Sequence, residues 1–120
     1  MNPKHSLTEK ECKLIQPALN REGCFSVDDI QERLHWKQAQ AWTSEGSVAV
    51  TEVFNHPLQR VLNLWLIGGD LETILKHEDD VMRWAKKVGC QSAQLSGRFG
   101  WGKVVPENWE RHSIIMKRSL

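Results

Sequence analysis

The stretch RVLNLWLIGGDLETILKHEDDVMRWAKKVGCQSAQLS, residues 60–96, decides the fold. Its first eight residues are apolar in both phases of a strand, with Val61, Trp65 and Ile67 in one and Leu62, Leu64 and Leu66 in the other. A strand of that kind is covered on both sides and sits centrally in its sheet. Gly68-Gly69-Asp70 ends it, and Asp70 stands where a helix N-cap is needed. Leu71, Ile74, Leu75, Val81, Met82, Ala85 and Val88 then form one apolar stripe. Lys86 and Lys87 suit the negative end of a helix, and Gly89 suits its left-handed cap, so one long helix is expected over 70–88. A strand over 91–96 follows. Strand, helix and strand in that order predict a crossover and a parallel pair.

Outward toward the N-terminus, Ser6-Leu7-Thr8-Glu9 has the form of a capping box, followed by Leu7, Leu14, Ile15 and Ala18 at roughly helical spacing. Pro17 is expected to end or kink that helix. Ser26-Val27-Asp28-Asp29 is a second N-terminal signature, for a short helix burying Val27, Ile30 and Leu34. Residues 38–43 and 47–54 alternate as strands around a hairpin turn at Glu45-Gly46. Toward the C-terminus, an irregular piece over 101–109 leads to an expected last strand over 111–117, where His112, Ile114 and Met116 alternate. There is no repeat, linker or low-complexity tract. The reading is one α+β domain over 1–120, with residues 1–23 as a helical segment of the same domain and a mixed sheet carrying helices on both faces.

Composition narrows the function. The 120 residues have a net charge of +1, which gives no bulk electrostatic case for nucleic acid. The charge is uneven, however: residues 1–80 hold 8 Lys/Arg against 13 Asp/Glu, and residues 81–120 hold 8 against 2. Two readings follow. The halves attract each other within the domain, or Arg83, Lys86, Lys87, Arg98, Lys103 and Arg111 form a basic patch for an acidic partner. Trp101 and Trp109 near that patch could stack on bases, but a core role is the more ordinary use of Trp. Three cysteines without a CxxC pair argue against a disulfide framework or a zinc site. The polar start of the chain and the absence of a long apolar run predict a soluble cytoplasmic protein with no membrane span. His77-Glu78-Asp79-Asp80 looks rich in metal ligands, yet consecutive helical residues point apart, and a solvated acidic face is the expectation.

The element order resembles the core of the GNAT acyl-CoA N-acyltransferase fold, in truncated form. The segments Gly68-Gly69, Ala85-Lys86-Lys87-Val88-Gly89-Cys90 and Gly97-Arg98-Phe99-Gly100-Trp101 are similar to GNAT-like proteins of tailed bacteriophages and prophages, over roughly residues 24–120. Some of those proteins are internal virion proteins of short-tailed phages. The resemblance implies a protein acting in virion structure, assembly or DNA ejection, or on a host protein. It would work in the cytoplasm of the infected or lysogenic bacterium or within the virion. It also implies that Gly97 to Trp101 is the exit from the strand beside which acyltransferases seat the pantetheine arm.

For an acyltransferase, the resemblance implies an acetyl-CoA diphosphate held by a Gln/Arg-x-x-Gly-x-Gly/Ala loop at a helix start, where backbone N–H groups and the helix dipole meet an anion. Here Trp65 stands three residues before Gly68 and Leu66 three before Gly69, so the basic or amide lead is missing. Asp70 and Glu72 place carboxylates where phosphates would sit. Many family members use a Tyr as general acid, and this chain has none. Cys90, Ser96 and His112 are the substitutes the sequence offers. Two expectations therefore compete. The first is a non-catalytic protein without cofactor, binding a protein partner through Arg83, Lys87, Arg98, Phe99, Trp101, Lys103 and Trp109. The second is a divergent acetyl-CoA-dependent N-acyltransferase gripping its cofactor through Gly68, Gly69, Arg98 and Lys103.

Overall fold

Two capped helices open the chain. In the computed structural model, which describes residues 2–96 and 106–120, helix α1 spans Glu9–Glu22 and α2 spans Val27–His35. The cap of α1 is Thr8, two residues later than the Ser6 signature. The Thr8 hydroxyl accepts from the Glu11 N–H at 3.2 Å, and Glu11 Oε1 accepts from the Thr8 N–H at 2.9 Å. Lys4 explains the shift, because its ammonium lies 2.7 Å from Glu11 Oε1 and fixes that carboxylate at the helix start. Pro17 neither ends nor breaks α1, which continues to Glu22 and stops at Gly23 with φ +76°. The second signature stands as read, with Ser26 and Asp29 in a reciprocal capping box.

Three antiparallel strands follow: β1 (Gln40–Ser44), β2 (Ser47–Asn55) and β3 (Arg60–Gly68). The β1–β2 turn has positive φ at both Glu45 and Gly46, the geometry that matches strand twist in two-residue hairpins. The crossover from β3 is two helices rather than one. Helix α3 covers Leu71–Leu75 and α4 covers Glu78–Lys87, separated at Lys76-His77. Strand β4 (Ser92–Leu95) then pairs in parallel with β3, and the sheet order is β1-β2-β3-β4. The outer edge of β1 is met by Lys4, whose backbone exchanges two hydrogen bonds with Ala41. The expected last strand over 111–117 does not form: residues 110–120 carry neither helix nor strand. Alternation at His112, Ile114 and Met116 is a local pattern, and no neighbouring strand takes it up.

The sheet separates two cores. On one face Ile15, Leu19, Ile30 and Leu34 of α1 and α2 pack on Val48, Val50 and Leu66. On the other, Leu71, Ile74, Val81 and Ala85 of α3 and α4 pack on Trp42, Leu62, Leu64 and Ile67. That second core buries one polar chain: Trp42 Nε1 donates to Thr51 Oγ1 at 3.0 Å, and Thr51 Oγ1 donates to Gln40 Oε1 at 2.9 Å. Among the described residues every buried side-chain nitrogen and oxygen has a hydrogen-bond partner.

Candidate functional site

The centre of interest is a register shift in β3. Val50 pairs with Leu66 and Thr51 with Leu64, so Trp65 is a surplus residue. The bulge resets which side chains share a face. Before it, Leu62 and Leu64 join the α3/α4 core; after it, Ile67 does, while Leu66 turns to the α1/α2 core. The strict alternation expected from sequence, with Trp65 and Ile67 on one side, is therefore corrected by one residue.

The parallel ladder between β3 and β4 ends at Leu64–Leu95, one residue before the bulge. Among the described residues, Leu66 to Gly68 keep their β2 neighbours and no β4 partner lies beyond Leu64. Trp65 itself lies on the α1/α2 side, edge-on to Phe25 with ring centroids 4.8 Å apart. The Arg33 guanidinium sits 4.9 Å from the Phe25 ring centre and 5.6 Å from that of Trp65, a cation over two rings. Arg33 also approaches Glu52 at 3.7 Å. Glu52 Oε1 accepts from Asn63 Nδ2 at 3.1 Å, and Asn63 Oδ1 accepts from Gln94 Nε2 at 3.3 Å. One polar chain thus runs from α2 across β2, β3 and β4 beside the bulge. No sequence spacing links these four residues, since each stands on a different element.

The turn after β3 is committed to packing. A Cβ on Gly68 would lie 2.1 Å from the carbonyl oxygen of Leu14, so glycine here lets α1 rest directly on the strand. Gly69 has φ +84°, and a Cβ there would meet the Gly46 carbonyl oxygen at 2.6 Å. Asp70 then closes α3. Its N–H donates to Ser47 Oγ at 3.0 Å; its carboxylate accepts from the Glu72 N–H and from Thr73 Oγ1, each at 3.1 Å. The donors and the positive end of this five-residue helix already face an anion of the chain's own. A diphosphate arriving there meets Asp70 and Glu72, and both are exposed. These residues do not fit the phosphates of coenzyme A.

The other singled-out residues are scattered. Cys90 is buried at the turn into β4, and desolvation pushes its thiol up, with Arg60 opposing this only in part, so the thiol keeps its proton. Ser96 and His112 are exposed, the first just past β4 and the second in the C-terminal segment. Arg83 and Lys87 are exposed on α4, with Arg83 3.2 Å from Asp80 one turn earlier. Trp109 is half-buried, not free: its indole N–H donates to Glu78 Oε1 at 2.7 Å and its ring packs on the α3/α4 core. Arg98, Phe99, Trp101 and Lys103 lie outside the described residues. In the acidic tetrad, His77 Nε2 is 2.8 Å from Ser44 Oγ and Glu78 holds Trp109. Among the described residues no cluster of three or more His, Cys, Asp or Glu is arranged to hold a metal. Nor is any of the described helices long and apolar enough to cross a membrane.

No protein-family model and no curated protein matches the sequence. Solved structures do. A point mutant of the BH1408 protein from Bacillus halodurans superposes with a TM-score of 0.66 at 10% identity, over 100% of this chain and 98% of that one. A structure described as a probable acetyltransferase gives 0.57 at 10% identity, over 89% and 90%. With a four-stranded mixed sheet, helices on both faces and a probable acetyltransferase among its structural neighbours, the chain has a GNAT-like fold.

Proposed function

We propose that this chain is a GNAT-like domain of phage or prophage origin that works by binding a protein partner and not by transferring an acyl group. One observation carries the non-catalytic part: the helix start that would receive a diphosphate is occupied by the Asp70 carboxylate, with Glu72 beside it. One further feature supports it: Gly68 and Gly69 serve close backbone approaches. The phage setting and the roles in virion structure, assembly or DNA ejection rest on the sequence segments 68–69, 85–90 and 97–101. Arg83 and Lys87 are exposed members of the proposed binding surface, and Arg98, Phe99, Trp101 and Lys103 are its proposed members outside the described residues.

A divergent acetyl-CoA-dependent N-acyltransferase is the second reading, favoured by the structural match to a probable acetyltransferase. Thermal denaturation with acetyl-CoA decides between them. A ligand at 100 times its dissociation constant adds about 2.7 kcal/mol to folding stability. We expect no shift in Tm at millimolar acetyl-CoA, and a clear rise overturns the non-catalytic reading. Affinity capture from infected cells tests the partner. Recovery of a virion or host protein, lost when Arg83 and Lys87 are both replaced by Glu, supports the reading; capture unaffected by that double substitution removes those two residues from the surface.

A further inference from the structure

The longest run of exposed large apolar side chains among the described residues is Ile114-Ile115-Met116, at 66%, 70% and 89% exposure. Single exposed apolar residues are ordinary on a protein surface; three in a row are not. The run lies in a stretch tied at both ends. Trp109 donates to Glu78 Oε1 at the start of α4, and Lys117 Nζ donates to the Glu22 carbonyl at the end of α1. Between those ties residues 110–116 are exposed and carry neither helix nor strand. Neither core takes in the three side chains. The charge around them has one sign: Arg111, Lys117 and Arg118 flank the run, and residues 111–120 contain no acid, Glu107 and Glu110 standing before it. The Lys117 bond uses one of three ammonium donors, and the side chain stays at the surface.

We propose that the loop over residues 110–118 seats the protein on an anionic bilayer surface. Ile114, Ile115 and Met116 enter the boundary between headgroups and acyl chains, and Arg111, Lys117 and Arg118 meet lipid phosphates. The order of the residues favours a bilayer over a protein groove. As a strand, the run would turn Ile115 away from Ile114 and Met116; as a helix, it would fan the three over about 200°. A groove covers one face and leaves the rest of such a run in water, whereas lipid surrounds it. Insertion by about 5–10 Å is enough, so the loop lies in the interface and spans nothing. Because both ends are already fixed to the body of the protein, less chain freedom is lost on insertion. This surface is separate from Arg83 and Lys87, and it stands or falls independently of the protein partner proposed above.

Co-sedimentation with vesicles tests it, using phosphatidylcholine alone and an equal mixture of phosphatidylcholine and phosphatidylglycerol. Each Lys or Arg at an anionic surface is worth roughly fivefold in partitioning. The intact protein is therefore expected to bind the mixed vesicles roughly a hundredfold more tightly than the neutral ones, and to come off as salt rises. Ile114→Ser, Ile115→Ser and Met116→Ser together are expected to abolish sedimentation with Tm unchanged, since these side chains belong to neither core. Arg111→Glu with Arg118→Glu is expected to remove the preference for mixed vesicles. An intact protein that stays in the supernatant with mixed vesicles overturns the proposal. So does sedimentation kept by the triple serine variant, which is adsorption by charge alone, or an anionic preference that survives both charge reversals. A protein captured by the intact chain and lost with the triple variant, without vesicle binding, assigns the run to a protein partner and overturns it equally.

Discussion

Replacing Gly68 by Ala isolates the tightest backbone approach at any of the described glycines. The added carbon would stand 2.1 Å from the Leu14 carbonyl oxygen, 2.5 Å from its carbonyl carbon and 2.9 Å from the Ile15 nitrogen. Ordinary contact begins near 3.4 Å, so the backbone of α1 must retreat by about 1.3 Å or β3 must bend. Either movement loosens Ile15 and Leu19, which are 0% and 2% exposed against Val48, Val50 and Leu66. Overpacking typically costs about 1–3 kcal/mol, and a rigid helix backbone as the obstacle puts this case near 3 kcal/mol. Gly23→Ala is the matched control. It meets nothing within 4 Å, and its φ of +76° limits the penalty to left-handed strain of about 1 kcal/mol. At roughly 4 °C per kcal/mol for a chain of this size, Tm should fall by about 12 °C and about 4 °C respectively. Urea unfolding with an unchanged m-value would confirm that stability alone moved. If Gly68→Ala costs no more than Gly23→Ala, α1 does not rest on the strand as described.

Four other measurements follow from the same structure. Trp42→Phe removes the donor to Thr51 inside the second core and should cost about 1–3 kcal/mol in chemical denaturation, more than Trp36→Phe at the exposed end of α2. Thr8→Ala deletes the α1 cap and should cost about 1 kcal/mol, whereas Ser6→Ala should be silent. Burial alone would raise the Glu11 carboxyl, but Lys4 and the Thr8 hydrogen bonds outweigh it and hold it below its ordinary 4.5. The stability this supplies is present above that pH and is lost as pH falls through the depressed value, so acid unfolding of Glu11→Gln should show a shallower dependence below about pH 4.5. Thiol titration should modify exposed Cys24 first, with Cys12 and Cys90 slower because burial raises both thiols; equal rates would contradict the burial of Cys90.

The elements whose signals are local were legible. Ser26 with Asp29 marked α2, Glu45-Gly46 marked the hairpin, and the doubly apolar run of β3 announced a covered strand. That same run hid the bulge: when both phases are apolar, a one-residue slip leaves no trace in the pattern. The break between α3 and α4 did have a signal. The stripe lapses between Leu75 and Val81, and Glu78, Asp79 and Asp80 occupy the first turn of α4, where acidic residues favour a second helix start. The strand expected at 111–117 shows the opposite failure, a proper local pattern that no strand among the described residues takes up. At the candidate site, the closing carboxylate of Asp70 was readable because capping is a matter of adjacent residues. The Arg33–Glu52–Asn63–Gln94 chain was not, because four elements must fold before those side chains meet.

The surplus Trp65 carries a consequence for descent. A strand with one residue too many can be shortened at Trp65 by a single codon deletion: Leu64 and Leu66 already face opposite cores, so the deletion would restore strict alternation and leave Leu66, Ile67 and Gly68 facing as they do. Single-residue insertions or deletions elsewhere in this strand would instead turn its remainder inside-out, and two homologues, one with and one without the surplus residue, compared without a gap at that position would be matched face to opposite face for the rest of its length.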